Sequence, residues 1–127
     1  VSPRALALDI VTPDGTAVEE RDLDAIVFHR RERLFEVGSE IAVFPLHAPM
    51  LVRLPIAPIR FRRGEEIVHL ALRGGFAQVL ADRVLIATPR VERIPTADAT
   101  PLHTAREVCR GWEEEVSDFR EEMTGYS

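Results

Sequence analysis

Residues 59–72 read Ile-Arg-Phe-Arg-Arg-Gly-Glu-Glu-Ile-Val-His-Leu-Ala-Leu, and the fold class is legible in their alternation. Ile59 and Phe61 alternate with Arg60 and Arg62, the period-two pattern of a strand with one face buried and one in water. Arg63-Gly64-Glu65 supplies the turn into Ile67 to Leu72, where Val68, Leu70 and Leu72 point one way. Downstream, Gly74-Gly75 interrupts the next apolar run, Phe76 to Leu80, and such a glycine pair in a strand marks a bulge or a close backbone approach. It lacks the strand-glycine-helix context of a phosphate loop, because the residues after it are again β-like. Ala81-Asp82-Arg83 turns the chain once more, and Val84 to Thr88 closes the series.

Upstream the grammar is the same. Leu6, Leu8 and Ile10 alternate with Ala7, Asp9 and Val11, and Thr12-Pro13-Asp14-Gly15 combines a proline, an Asx residue and a glycine in a tight turn. Ala17-Val18, Ala25 to Phe28 and Met50 to Leu54 are further strands. Pro45 and Pro49 hold the backbone extended around His47 by restricting their own φ and that of the residues before them. Short, regularly spaced strands of this kind predict a mainly β fold, an antiparallel β-sandwich over residues 1–90.

After Pro89 the composition changes. Residues 91–100 read as a polar linker, ending in Thr100 as N-cap and Pro101 at the first helical position. Leu102, Ala105, Cys109, Trp112, Val116, Phe119 and Met123 then recur at spacings of three and four, predicting a single amphipathic C-terminal helix over 101–124. Such a stripe needs a surface: its own sandwich, or a partner.

Composition narrows the function. The 16 basic residues are all arginine, and the net charge of −5 argues against nucleic acid as partner. Residues 1–94 balance 13 basic against 13 acidic side chains, whereas 95–127 hold 3 against 8, so the tail carries the whole imbalance. No apolar run approaches the ~20 residues of a membrane span, and Val1-Ser2-Pro3-Arg4 lacks the apolar core of a signal peptide. Membrane association is therefore expected only through partners. The lone Cys109 suits a reducing compartment and reads as a small packing residue. For an enzyme the candidates would be His29, His47, His69 and His103 with the scattered carboxylates, but no spacing among them implies a triad or a metal site. No cofactor is expected.

Three stretches, in order, resemble the epsilon family of rotary F-type ATP synthases, called delta in mitochondria. Leu6 to Gly15 is similar to that family's opening strand and turn. Val43-Phe44-Pro45-Leu46-His47-Ala48-Pro49-Met50-Leu51 resembles its aliphatic-Leu-Pro-Gly-His-Ala-Pro-Leu-Leu signature. Leu72-Arg73-Gly74-Gly75-Phe76-Ala77-Gln78-Val79 with Val84 to Ala87 resembles its Val-Ser-Gly-Gly-Phe-x-Glu-Val segment and last strand. The resemblance implies a non-catalytic subunit of the central stalk that fixes the rotating gamma subunit to the membrane ring of c subunits, with the alpha/beta catalytic hexamer a further contact. It places the chain peripherally on the cytoplasmic face of a bacterial inner membrane. The alternative is a stand-alone β-sandwich interaction module dimerising through its helix.

Departures from the family pattern locate two expectations. Residues 29–38 form a charged connection roughly six residues longer than usual, and Ala42 and Leu46 stand where the family has glycines. Glu40 falls at the position of an acidic residue in the c-ring contact, so Arg30, Arg31, Arg33, Glu36 and Glu40 are the c-ring candidates. For gamma the candidates are Arg60, Arg62, Arg73, Trp112 and Phe119. Where the family ends in two helices there is one here, and Leu102-His103-Thr104-Ala105-Arg106 matches the nucleotide-associated motif poorly. The resemblance thus implies a divergent form with a shortened tail, without tight ATP binding or an insertional brake.

Overall fold

The computed structural model describes residues 5–33 and 36–124, apart from the side chains at 32, 33, 36, 37 and 121–124. Eight strands precede one helix: β1 (Leu6–Thr12), β2 (Gly15–Leu23), β3 (Ala25–Arg33), β4 (Glu36–Val43), β5 (Met50–Arg63), β6 (Glu66–Val79), β7 (Arg83–Ala87), β8 (Val91–Arg93) and α1 (Pro101–Thr124). Pairing runs β2-β1-β7-β6-β5-β3-β4, with β8 added to β6. All of these pairs are antiparallel except β1 with β7, which run parallel.

The 59–72 stretch is the turn end of a much longer hairpin. Its two arms, β5 and β6, each span 14 residues and serve both layers of the sandwich. The near part of the hairpin pairs with β3 and β8, around Arg60–Arg62 and Leu70–Leu72. The far part pairs with β7, at Phe76–Val79. The burial pattern shows where the layers exchange. In β5 the buried positions are Val52, Leu54 and Pro55, then Ala57, Ile59 and Phe61; in β6, besides Ala71 under the helix, they are Val68, Leu70, Leu72 and Gly74, then Ala77 and Val79. Each arm slips by one residue, and with a side-chain period of two such a slip moves every following side chain to the other face.

The slip sits between Leu54, opposite Gly75, and Ile56, opposite Arg73: the pairing register is the same on both sides, and both arms change face together around Pro55 and Gly74. Gly74 has φ 73° and Gly75 φ 112°. A Cβ on Gly75 would stand 2.0 Å from the Ala87 carbonyl oxygen, so the close backbone approach expected of this pair is met, and it forms the corner of the sandwich. Pro55 and Pro58 are tolerated because β3 reaches β5 only at Ala25–Val27, opposite 60–62, leaving one side of β5 without a strand partner around them.

Both layers send side chains into one core, including Leu8, Ile10, Val84 and Ile86 from one side and Ile26, Phe28, Phe61 and Leu70 from the other. Each such side chain contributes about 1.5–3 kcal/mol on burial. Two sequence readings are corrected. Within residues 29–38, read as a charged connection, 29–33 and 36–38 prolong β3 and β4 into a hairpin, paired at His29–Glu40, Arg31–Val37 and Arg33–Glu36. Within the stretch read as linker, Val91–Arg93 pair with Leu70–Leu72 as β8, a strand too short to show a period.

Candidate functional site

The sandwich has two outer faces with opposite fates. On the β8-β6-β5-β3-β4 layer the outward residues Ala71 and Ile56 meet Val108, Cys109 and Trp112 of α1. A small residue at 71 lets the helix lie close to the sheet. Ala105 is fully buried, and Cys109 and Trp112 are each 4% exposed. The Arg90 guanidinium sits 5.6 Å from the centroid of the Trp112 ring, and Arg73 approaches Glu115 at 3.5 Å. The helix start is fixed by Asp98: its carboxylate accepts from the Thr100 N–H at 2.7 Å and from the Thr104 hydroxyl at 2.6 Å. These bonds, the Thr104 hydroxyl first, hold that carboxyl below its ordinary value. Of the two surfaces open to the stripe, the first three turns use the chain's own sandwich.

Beyond Trp112 the helix parts from the sheet. A cavity of about 550 Å³ opens between Glu113, Val116, Ser117 and Arg120 on one side and Leu54 to Ile56 with Arg73 to Gly75 on the other, and Arg31 reaches its rim. Phe119 is 61% exposed. Trp112 and Phe119, neighbours on one stripe in the sequence, are thus separated: one is core, the other is surface.

Among the described residues no helix lies on the outer face of the β2-β1-β7-β6-β5 layer. Leu51, Gln78 and Leu85 form one cross-strand row, and Arg53, Phe76 and Ala87 the next. Leu51 is 75% and Phe76 50% exposed, with the Arg53 guanidinium over the Phe76 ring at 5.7 Å. Phe44 and Leu46 add exposed apolar surface at the β4–β5 connection. Sequence reasoning missed this face. Its signal was present: strands with apolar residues at both alternating sets, as in Leu51-Val52 and Phe76-Ala77, are built for two-sided contact.

The connection from β4 to β5 is tied to the β6–β7 turn, with the Leu46 N–H donating to the Ala81 carbonyl at 2.7 Å. The His47 N–H donates to Phe44, and its Nδ1 bonds the Ala48 carbonyl at 2.7 Å. Leu46 itself has φ 69°, in the left-handed region where glycine is at ease, which gives a physical reason for the glycine of the resembled signature.

Of the charged candidates, Arg60 and Glu40 form a two-pronged ion pair, at 2.9 and 3.2 Å. Arg60, ahead of smaller effects of His29 and Arg106, holds the Glu40 carboxyl below its ordinary range. Arg62 pairs with Asp24 at 3.6 Å, and Arg30 is exposed. The side chains of Arg33 and Glu36 lie outside the described residues. On the far edge Glu20 of β2 binds Arg63 at 2.7 Å and Arg93 at 3.0 Å, clasping one layer to the other. Among the described residues no group of His, Cys, Asp and Glu is placed to hold a metal ion. Burial pushes the Cys109 thiol up to about 12, which leaves it unreactive while α1 is docked. No described helix is long and apolar enough to cross a membrane.

Among the described residues the chain is a two-layer sandwich with one outer face roofed by its own helix and the other apolar and bare. Residues 5–94 match the family model for the ATP synthase delta/epsilon chain, beta-sandwich domain, and the chain belongs to that family. It is 33% identical over 102 residues to the ATP synthase epsilon chain of Syntrophobacter fumaroxidans, covering 80% of this chain and 71% of the relative. It is 31% identical over 104 residues to that of Anoxybacillus flavithermus, covering 82% and 72%. In fold it is similar to a chain in the structure of the Euglena gracilis mitochondrial ATP synthase comprising OSCP, F1 and c-ring, with a TM-score of 0.62 and 22% identity over 87% of this chain and 67% of that one. A chain of the Tetrahymena thermophila central stalk and c-ring gives 0.55 and 16%, over 72% and 68%.

Proposed function

We propose that this chain is a non-catalytic rotor subunit of an F-type ATP synthase that couples rotation of the gamma subunit to the c ring, peripheral to the cytoplasmic face of a bacterial inner membrane. The observation that carries the reading is the family match over the whole sandwich, residues 5–94. The architecture suits it: one core shared by two layers resists twist, because closely packed interiors are stiff. Gamma binds the bare face through Leu51, Phe76 and Leu85, with Phe119 and Arg62 offering a second contact beside the helix. Arg60, Arg73 and Trp112 act from within the chain, holding Glu40 and α1 in place. The c ring meets the β3–β4 hairpin, through Arg30, Arg31, Arg33, Glu36 and Glu40.

The test is co-isolation with gamma, followed by ion pumping in vesicles. Deleting the chain should leave ATP hydrolysis and abolish ATP-driven pumping; a dimer that never co-isolates with gamma would favour the stand-alone module instead. Glu40→Arg alone both breaks its pair with Arg60 and reverses the interface charge, so it is compared with Glu40→Arg/Arg60→Glu. If the c-ring contact is real, coupling stays impaired in the double variant although the internal pair is restored.

A further inference from the structure

Beneath the first turns of α1 lies a small chamber of about 30 Å³, room for one water, lined by His29 of β3, Glu40 of β4, Arg60 of β5, His69 of β6, and Leu102 and Arg106 of α1 among others. Its carboxylate and one of its histidines already have partners. Glu40 is taken by both prongs of Arg60, and the Nδ1 of His29 bonds the Gly38 carbonyl at 3.4 Å. Nδ1 of His69 is the one buried side-chain polar atom without a partner among the described residues.

We propose that this chamber makes the docking of α1 a pH-sensitive clamp, in which proton uptake by His69 lifts the first turns of the helix from the sheet. The neighbouring positive charges are Arg60, which acts on His69 directly, and Arg106, which lies over the same chamber. A proton on the Nδ1 side of His69 therefore puts a buried donor where no protein partner meets it, with like charge beside it. The chamber has room for one water, so fuller hydration of that side of the ring requires opening one wall. Four walls are strands of a shared core; the fifth is a helix held by one face of its first three turns, and the least anchored element opens first.

The sign is set by the state of His69 when the helix is docked. Burial, then Arg60, hold its pKa below the ordinary value of about 6.5. Docking is at full strength above that value, where His69 is neutral in both states, and weakens as pH falls through it toward the lower docked-state pKa. His29 lines the same chamber but has its own carbonyl partner, so it serves as the control.

Two native probes report the clamp, because Trp112 and Cys109 are the single tryptophan and single cysteine and both are covered by docking. The experiment tracks labelling of Cys109 by dithiodipyridine, which reacts in acid, together with Trp112 emission, from pH 7.5 to 5.5 on the full chain. Far-UV circular dichroism confirms that the strands persist. We expect a several-fold rise in labelling rate and a red shift in emission for the wild-type chain and for His29→Gln, and a flat response for His69→Gln. Arg60→Gln, which removes the adjacent charge, should give a smaller rise. An unchanged labelling rate in the wild-type chain, or the same rise in His69→Gln, would overturn the proposal.

Discussion

The two outer faces of this sandwich are made by the same hairpin yet do opposite things. Near its turn, β5 and β6 present Ile56 and Ala71 outward and receive the helix; past the corner they present Leu51 and Phe76 outward, and among the described residues nothing of their own chain covers them. Burying the second face against a partner would stabilise an assembly, and burying the first stabilises the monomer. A subunit that must be folded alone and sticky in one direction needs that asymmetry, since exposed apolar rows on both faces would invite aggregation.

The largest test removes the corner. Gly75→Val places a side chain 2.0 Å from the Ala87 carbonyl oxygen on a backbone with φ 112°, so the two faces should come apart with a loss of about 4 kcal/mol or more in urea denaturation. Next comes the direct contrast between faces: Trp112→Ala should cost about 3 kcal/mol and expose Cys109 to thiol reagents, whereas Phe76→Ala should change stability by about 0.5 kcal/mol or less while weakening gamma binding. Equal losses at the two positions would erase the distinction between a self-covered face and a partner-seeking one.

Glu20→Gln opens the ionic clasp between the layers and should cost about 1 kcal/mol at neutral pH, a value discounted for partial exposure of the arginines. Arg63, then Arg93, hold the Glu20 carboxyl below its ordinary value of 4.5. Its stabilisation is therefore present above that value and lost as pH falls through the folded-state pKa, so variant and wild type should converge in acid. The smallest effect has the opposite sign. Leu46→Gly relieves φ 69° at an exposed position and should stabilise the chain by about 0.5–1 kcal/mol in thermal denaturation. If Leu46 is kept for the bare side's partner, the same variant will assemble less well despite being more stable.

Much of the fold was legible in the chain, and for local reasons. Alternation at Ile59 to Leu72, the turn at Thr12 to Gly15 and the three-and-four spacing from Leu102 onward each reflect a side-chain direction fixed by neighbouring backbone. The features that escaped were set by distant strands. Val91–Arg93 is a strand only because Leu70–Leu72 offers it an edge. The charged residues after Phe28 stay extended because the returning segment pairs with them, despite an unpromising composition. Among the candidate interaction residues, Arg60 and Glu40 stand 20 positions apart and nothing in their spacing forecasts the pair.

The order of residues was enough to specify the mainly β class, the terminal helix and the motif-bearing stretches at Pro45 to Pro49 and Gly74-Gly75, because period, turn chemistry and glycine tolerance are properties of a few consecutive residues. Packing in three dimensions chose which face α1 covers, where the long hairpin changes layers and which apolar rows are left bare. Those outcomes depend on which surfaces meet across the fold, and the free energy of burying them belongs to the pair of surfaces rather than to either stretch of chain.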